Sequence, residues 1–141
     1  MIEICFVCTG NTCRSVMAER IARKKAKTKN VECKFSSAGI FAKKENISEN
    51  AAKALKTLGY DGRARKSVKL GKTRDNVLYV CVTDSHKNYV KAKKVISFGD
   101  LAGEVSDPYG QPLENYIQSA HQIEKNVDCL LDKIEKLRGE R

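Results

Sequence analysis

A cysteine and an arginine, Cys8 and Arg14, stand six positions apart near the start of the chain. A cysteine thiolate can attack the phosphorus of a phosphate group, and the planar guanidinium of an arginine can hold two phosphate oxygens. Between them lie small and turn-forming residues: Thr9, Gly10, Asn11, Thr12 and Cys13. The backbone N–H groups of such a short loop converge on one point and form an anion-binding nest. The spacing therefore predicts a thiolate beneath a bound phosphate group.

The elements on either side of this loop must position the thiolate. Residues 2–7 are an apolar run that predicts a buried strand, and residues 15–19 predict the start of a helix. A helix N-terminus adds the positive end of its dipole to the nest. A strand, a short loop and a helix in this order are typical of a phosphate-binding site.

Strands alternate with helices along the rest of the chain. We predict strands at residues 2–7, 31–36, 77–82 and 95–98, and helices at residues 13–28, 48–58, 86–92 and 113–137. This alternation predicts a single α/β domain over residues 1–141, a doubly wound three-layer sandwich whose four-stranded parallel sheet has the order 2-1-3-4. Ligands bind such sheets beyond the carboxyl ends of the strands at the switch point, which here lies beside strand 1 and the Cys8 loop.

The cysteine pattern bears on metals and on the redox compartment. Cys5 and Cys8 have the CxxC spacing of some metal and redox sites. Residues three apart on a strand point to opposite faces, so these two sulfurs do not converge on one ion. We therefore expect no metal and no cofactor. The six cysteines do not form the framework of a secreted disulfide-rich domain either.

The chain is strongly basic, with 27 Lys and Arg against 17 Asp and Glu and a net charge of +10. Such a charge attracts acidic partners, including phosphoproteins and nucleic acids. Aromatic residues make up only 6% of the chain and do not interleave with the basic runs at residues 23–27 and 91–94. We therefore interpret the lysines as a solvated surface and expect no nucleic-acid partner. With no apolar stretch of membrane-spanning length and no apolar leader, we expect no membrane association and a cytoplasmic location.

The segment VCTGNTCRS, residues 7–15, is followed by Met17, Ala18 and Glu19. It resembles the signature loop of the low-molecular-weight protein tyrosine phosphatases, and is most similar to the bacterial branch that includes the protein arginine phosphatases. The resemblance extends through residues 37–42, 77–87 and 103–116. It implies a cysteine-dependent phosphatase that forms a phosphocysteine intermediate, takes phosphorylated proteins as substrates and releases inorganic phosphate.

The resemblance also implies roles around the general acid. Asp107, in the segment Asp-Pro-Tyr-Gly, matches the family's general acid, and Tyr109 matches the aromatic residue that walls the substrate slot. From the residues alone, turn chemistry or helix capping is favoured for Asp107 over a role as an acid. The alternative interpretation of Tyr109 is that it is an exposed residue of a turn with no role in substrate binding.

Four further residues receive roles from the resemblance. Asn11 holds the loop through its side chain, with Ser37 as its brace. Ser15 donates to the Cys8 thiolate, or caps the helix, or does both. Cys13 forms a reversible disulfide with Cys8 that protects the nucleophile from oxidation, or simply packs in the core.

The chain departs from the family pattern at two places. Val16 follows the loop serine where the family usually has proline, and we expect little loss because proline there only preorganises the backbone. The family often has a histidine near the position of Arg63 that completes the Asn–Ser brace. Neither histidine of this chain, His86 or His121, matches it. What completes the brace is left open, and His86 is expected on the surface of a short helix.

Several functions compete for this pattern. The arginine-type relatives resemble this chain in having threonine at the position of Thr12, whereas tyrosine-type relatives commonly have a larger aliphatic residue there. Phosphoarginine is therefore favoured as the substrate, with phosphotyrosine as the alternative. An arsenate reductase needs two further cysteines close together in a flexible segment, whereas Cys81 falls in a strand and Cys129 in the last helix. A phosphate-binding module without catalysis is disfavoured because Cys8, Arg14 and Asp107 are all present.

Overall fold

Residues 1–139 are described by a computed structural model. Four parallel strands lie at its centre in the order β2-β1-β3-β4. The strands are β1 (Ile2–Cys8), β2 (Cys33–Gly39), β3 (Val77–Cys81) and β4 (Val95–Ser97), and the α-helices are α1 (Arg14–Thr28), α2 (Glu49–Thr57) and α3 (Leu113–Gly139). The predicted fold class and strand order are confirmed.

Strand β1 is central because both of its faces are apolar. Ile4 and Phe6 point into the larger core, and Cys5 and Val7 point into the smaller one on the opposite face. The ring of Phe6 packs 6.2 Å from that of Phe35, which lies on β2. A strand that is buried on both sides in this way holds its last residue rigidly.

All three α-helices contribute side chains to the larger core. Ser48 begins α2 by accepting a hydrogen bond from the N–H of Ala51, as predicted for a cap. Gly59 follows this helix with φ at +85°, a conformation that favours glycine. The predicted periodicity of the last helix is confirmed over its 27 residues. No helix among residues 1–139 combines the length and the apolar character needed to cross a membrane.

The smaller core on the opposite face of the sheet is covered by irregular segments. Leu70, Val90 and Ala92 pack there against the smaller core. A 3₁₀ helix, Asp84–Tyr89, follows β3. The helix predicted at residues 86–92 is therefore wrong in type and bounds. The chain becomes extended at Val90 after this short 3₁₀ helix, and the N–H of Val90 bonds to the carbonyl of Lys87.

Strand β2 is longer at its C-terminal end than predicted. It includes Ser37, Ala38 and Gly39, which the sequence prediction placed after the strand. The reason is its partner, because parallel pairing with β1 continues to the register pair Cys8 and Gly39. Ser37 is therefore held beside the loop by the sheet itself.

Candidate active site

The Cys8–Arg14 loop follows the carboxyl end of β1 and surrounds a pocket of about 230 Å³. Most of the residues predicted from sequence meet here. The pocket is lined by Cys8, Thr9, Gly10, Asn11, Thr12, Cys13, Arg14, Glu45, Asp107 and Tyr109. Of the predicted site residues, only Ser15 and Ser37 lie outside the lining, and both contact it from below.

The loop backbone packs directly on β2. A Cβ atom at Gly39 would lie 2.7 Å from the carbonyl oxygen of Thr9 and 2.8 Å from the nitrogen of Asn11, so only glycine allows this approach. Asn11 itself has φ at +56°, in the left-handed region that asparagine tolerates better than most residues. The tight curvature of the loop depends on these two residues.

Several loop N–H groups are free to bind an anion. Within residues 1–139, the N–H groups of Gly10, Thr12 and Cys13 donate to no protein acceptor. The N–H of Asn11 points at the sulfur of Cys8, with an N–Sγ distance of 3.2 Å. Free N–H groups at the start of α1 are the donors that a phosphate group needs.

A chain of hydrogen bonds leads from the sulfur into the protein. The Sγ of Cys8 lies 2.8 Å from the Oγ of Ser15. The Nδ2 of Asn11 donates to the same Ser15 oxygen at 2.8 Å. Either atom of the Cys8–Ser15 pair can be the donor, and Ser15 can donate its hydroxyl hydrogen when Cys8 is a thiolate. This arrangement stabilises a thiolate.

The side chain of Asn11 is held at both ends. Its Nδ2 also donates to the Oγ of Ser37 at 2.9 Å, and its Oδ1 accepts from the N–H of Val68 at 2.9 Å. Ser37 donates in turn to the carboxylate of Glu19, which is buried on α1. The predicted Asn–Ser brace is therefore present.

Arg65 completes this brace in place of the missing histidine. Its guanidinium donates to the Oδ1 of Asn11 at 3.1 Å, to the Oγ of Ser37 at 2.5 Å and to the carboxylate of Glu19 at 3.2 Å. Burial lowers the pKa of Arg65, and Glu19 opposes that change. Arg63, near the position that the resemblance indicated, instead pairs with Asp61 on the surface. An always-charged residue thus supports the loop.

Arg14 is buried and connects the loop to the acid segment. Its Nη1 donates to the carbonyl of Val105 at 2.9 Å, and its Nη2 lies 3.7 Å from the carboxylate of Asp107. The Asp107 side chain is 55% exposed, and its Oδ1 accepts from the N–H of Tyr109 at 3.1 Å. Asp107 makes the turn contact expected from its residue type and also lies at the pocket.

His86 is not the surface residue that the sequence predicted. It is 7% exposed, its Nε2 lies 2.9 Å from the Oγ1 of Thr9, and its Nδ1 lies 2.8 Å from the Oγ1 of Thr83. The 3₁₀ helix turns the ring inward under the loop, which explains the error. Burial, and then the charge of Arg14, lower the pKa of His86 below 6.5.

Thr12 and Cys13, two further residues predicted for the site, lie next to each other in the loop. The Oγ1 of Thr12 lies 3.8 Å from the Sγ of Cys13. Burial raises the pKa of Cys13.

Cys81 is buried in β3 and Cys129 lies on α3, where the sequence placed them, so they do not form a shuttle pair. Within residues 1–139, no three His, Cys, Asp or Glu side chains cluster as metal ligands would.

Two site residues, Arg65 and Glu45, were missed by the sequence reasoning. Both lie in irregular segments that pair with each other, where the N–H of Ile47 donates to the carbonyl of Arg65 at 3.0 Å. Neither segment has an apolar periodicity, so no sequence pattern indicates their contact. The absent histidine was the one signal that another residue had to hold Asn11.

The chain is similar in sequence to known phosphatases. A sequence model described as low molecular weight phosphotyrosine protein phosphatase matches residues 3–140. A protein-arginine-phosphatase from Geobacillus stearothermophilus is 33% identical over 147 residues, covering 94% of this chain and 96% of that protein.

Two solved structures are similar over almost their whole length. A low molecular weight protein tyrosine phosphatase from T. tengcongensis is 34% identical, with a TM-score of 0.85 and coverage of 94% of this chain and 99% of that one. A YwlE arginine phosphatase mutant with a phosphorylated active-site serine is 28% identical, with a TM-score of 0.87 and coverage of 95% and 96%. The chain is thus similar to proteins named for two different substrates.

Proposed function

The chain belongs to the low molecular weight phosphotyrosine protein phosphatase family, and we propose that it dephosphorylates proteins through a phosphocysteine on Cys8, with phosphoarginine as its preferred substrate. The observation that carries the covalent mechanism is the environment of the Cys8 sulfur. It lies 2.8 Å from a hydroxyl and 3.2 Å from an N–H group, in a pocket that Arg14 also lines. Two donors at the sulfur stabilise the attacking thiolate.

In the first step the Cys8 thiolate attacks phosphorus, and a new P–S bond forms as the bond to the leaving group breaks. The loop N–H groups and Arg14 hold the phosphoryl oxygens as charge redistributes over them. Asp107 gives its proton to the departing atom, a nitrogen for phosphoarginine or an oxygen for phosphotyrosine. Tyr109 walls the slot on the same side as Asp107.

In the second step a water molecule attacks the phosphocysteine. The Asp107 carboxylate takes the proton of that water, and the P–S bond breaks to release inorganic phosphate. The electron pair returns to the Cys8 sulfur, where the Ser15 hydroxyl and the Asn11 N–H stabilise it. The relative with a phosphorylated active-site serine supports a covalent phosphoryl group at this position.

Two observations support phosphoarginine over phosphotyrosine. The first is the similarity to the protein-arginine-phosphatase from Geobacillus stearothermophilus. The second is Thr12, which lines the pocket and whose hydroxyl forms, among residues 1–139, no hydrogen bond other than the one with the Cys13 sulfur. Such a hydroxyl is available to the substrate or to the attacking water. A tyrosine phosphatase is the second candidate, favoured by the 34% identical structure from T. tengcongensis.

Comparative turnover of phosphoarginine and phosphotyrosine peptides tests this proposal. We expect the wild type to have the larger kcat/KM for phosphoarginine. Thr12→Ile removes the hydroxyl and adds bulk, so the ratio of the two kcat/KM values should move towards phosphotyrosine by roughly tenfold. A wild type that hydrolyses phosphotyrosine alone contradicts the arginine assignment, and equal losses on both substrates contradict the role of Thr12.

A further inference from the structure

The pocket has an acidic rim on a basic protein. The chain has a net charge of +10, yet two carboxylates, Glu45 and Asp107, line the pocket with one cation, Arg14. A pocket that only has to bind a phosphate dianion is not helped by a second carboxylate, which repels it. Glu45 therefore calls for a separate explanation.

The backbone of Glu45 is fixed relative to the phosphate loop. Its N–H donates to the Oγ of Ser67 at 2.9 Å, and its carbonyl accepts from the N–H of Ser67 at 2.6 Å. Ser67 is buried, and the next residue, Val68, donates its N–H to Asn11 within the loop. Ser67 and Val68 thus connect Glu45 to the phosphate loop, and these hydrogen bonds hold the backbone of Glu45 at the pocket.

The carboxylate of Glu45 is also uncommitted. Within residues 1–139 it takes part in no ion pair and no side-chain hydrogen bond, whereas Glu19 and Asp61 are both paired with arginines. The residue is exposed, so its charge is available to a molecule that enters the pocket. Its partner is therefore to be sought in the substrate.

We propose that Glu45 is a specificity-determining residue that binds the guanidinium of phosphoarginine, an inference that rests on the substrate proposed above. Phosphoarginine has a delocalised positive charge beside its phosphoryl group, whereas the ring of phosphotyrosine is neutral. A carboxylate can accept two parallel N–H bonds from a guanidinium. Phosphotyrosine offers Glu45 no such donor.

The division of labour between the two carboxylates supports this assignment. Asp107 must carry a proton when the thiolate attacks, because it donates that proton to the leaving nitrogen. A protonated Asp107 has no negative charge to offer the substrate cation. Glu45 takes no part in proton transfer in the proposed mechanism. It is therefore the carboxylate that is left to bind the substrate cation.

Steady-state kinetics of Glu45→Gln test the proposal with two small substrates, an N-acetyl phosphoarginine amide and p-nitrophenyl phosphate. We expect kcat/KM for the phosphoarginine compound to fall roughly tenfold, mostly through KM. For p-nitrophenyl phosphate it should stay the same or rise, because a repulsive charge is lost. Glu49→Gln is the matched control, since Glu49 is exposed, pairs with Lys53 and lies outside the pocket lining. It should change neither value.

The outcomes separate this inference from the substrate proposal. Wild type without phosphoarginine turnover overturns both. Wild type that turns over phosphoarginine while Glu45→Gln leaves its kcat/KM unchanged, or lowers both substrates equally, overturns the role of Glu45 alone. Glu45→Lys reverses the charge and should lower the ratio of kcat/KM for the phosphoarginine compound to kcat/KM for p-nitrophenyl phosphate below the ratio in Glu45→Gln; a ratio that falls no further than in Glu45→Gln contradicts the charge argument.

Discussion

The two sides of the pocket are built differently. The phosphate loop is buried and cross-linked, with Cys8 at 3% exposed, Arg14 at 7% and Asn11 bonded to three other side chains. The acid segment is open, with Tyr109 at 75% exposed and Asp107 held by one turn hydrogen bond and by Arg14.

This difference matches the two tasks of the site. Binding and attack need donors that are already in place, since reorganising them during the reaction costs free energy. Proton transfer and substrate entry need a group that reaches water and leaving groups of different shapes. In the proposed mechanism, the buried side therefore supplies the donors for binding and attack, and the open side supplies proton transfer.

Removing the nucleophile is the largest expected change on the buried side. Cys8→Ser should lose all measurable turnover and keep phosphate or vanadate binding, because the N–H groups and Arg14 remain. Turnover and binding, the latter by calorimetry, are the two measurements. Cys129→Ser, on α3 and outside the pocket lining, is the control and should keep full activity. Turnover by Cys8→Ser within a few-fold of wild type would exclude covalent catalysis by the thiolate.

Removing the acid is the next largest change, on the open side. Asp107→Asn should slow hydrolysis of aryl phosphates with poor leaving groups by roughly 10²–10⁴. The loss should shrink for good leaving groups, which depart without a proton, and a series of substituted phenyl phosphates measures this dependence. Asp132→Asn, exposed on α3, should have no effect. A loss of equal size across the series would make Asp107 a purely structural residue.

The third prediction concerns Arg65, which braces the loop, and it distinguishes a positioning role from a chemical role. Arg65→Met should lower kcat/KM roughly ten- to a hundredfold and weaken vanadate binding, because Asn11 and the buried Glu19 lose a partner and the loop shifts. Arg65→Lys should restore part of both. Arg63→Met, which removes a guanidinium that pairs with Asp61 on the surface, should leave both unchanged. Equal effects of the two arginine variants would show that Arg65 does not position the loop.

The smallest effect concerns pH and His86. Because burial and Arg14 lower its pKa, the unfolded chain binds more protons than the folded one between that lowered value and 6.5. Stability is complete above 6.5 and falls as the pH drops through this window. His86→Gln should flatten the slope of the free energy of unfolding against pH, measured by urea denaturation. An unchanged slope in His86→Gln would refute the assignment.

The sequence predicted the buried side well because its signals are local. Cys8, Arg14, Asn11 and Ser15 lie within one short segment, and the apolar strands on both sides determine where that segment sits. The strand order followed from the alternation of strands and helices, and the switch-point rule then placed the ligand site beside strand 1.

The contacts that were missed are all long-range and irregular. Arg65 is 54 positions from Asn11, and His86 is 77 positions from Thr9. Glu45 reaches the pocket only because residues 45–47 pair with residues 65–67. Such pairing has no periodicity, and one hydrogen-bonded pair of loops is too small a feature to identify from residue types.

Covalent catalysis by Cys8 is tested most directly by acid-quenched mass spectrometry of Asp107→Asn during turnover of p-nitrophenyl phosphate. The variant lacks the base for the second step, so the intermediate should accumulate, and this good leaving group departs without the missing acid. We expect the mass of one phosphoryl group on the peptide that contains Cys8, appearing as fast as p-nitrophenol and decaying afterwards. Release of p-nitrophenol with no phosphoryl group on Cys8, or with the label on another residue, would contradict the mechanism.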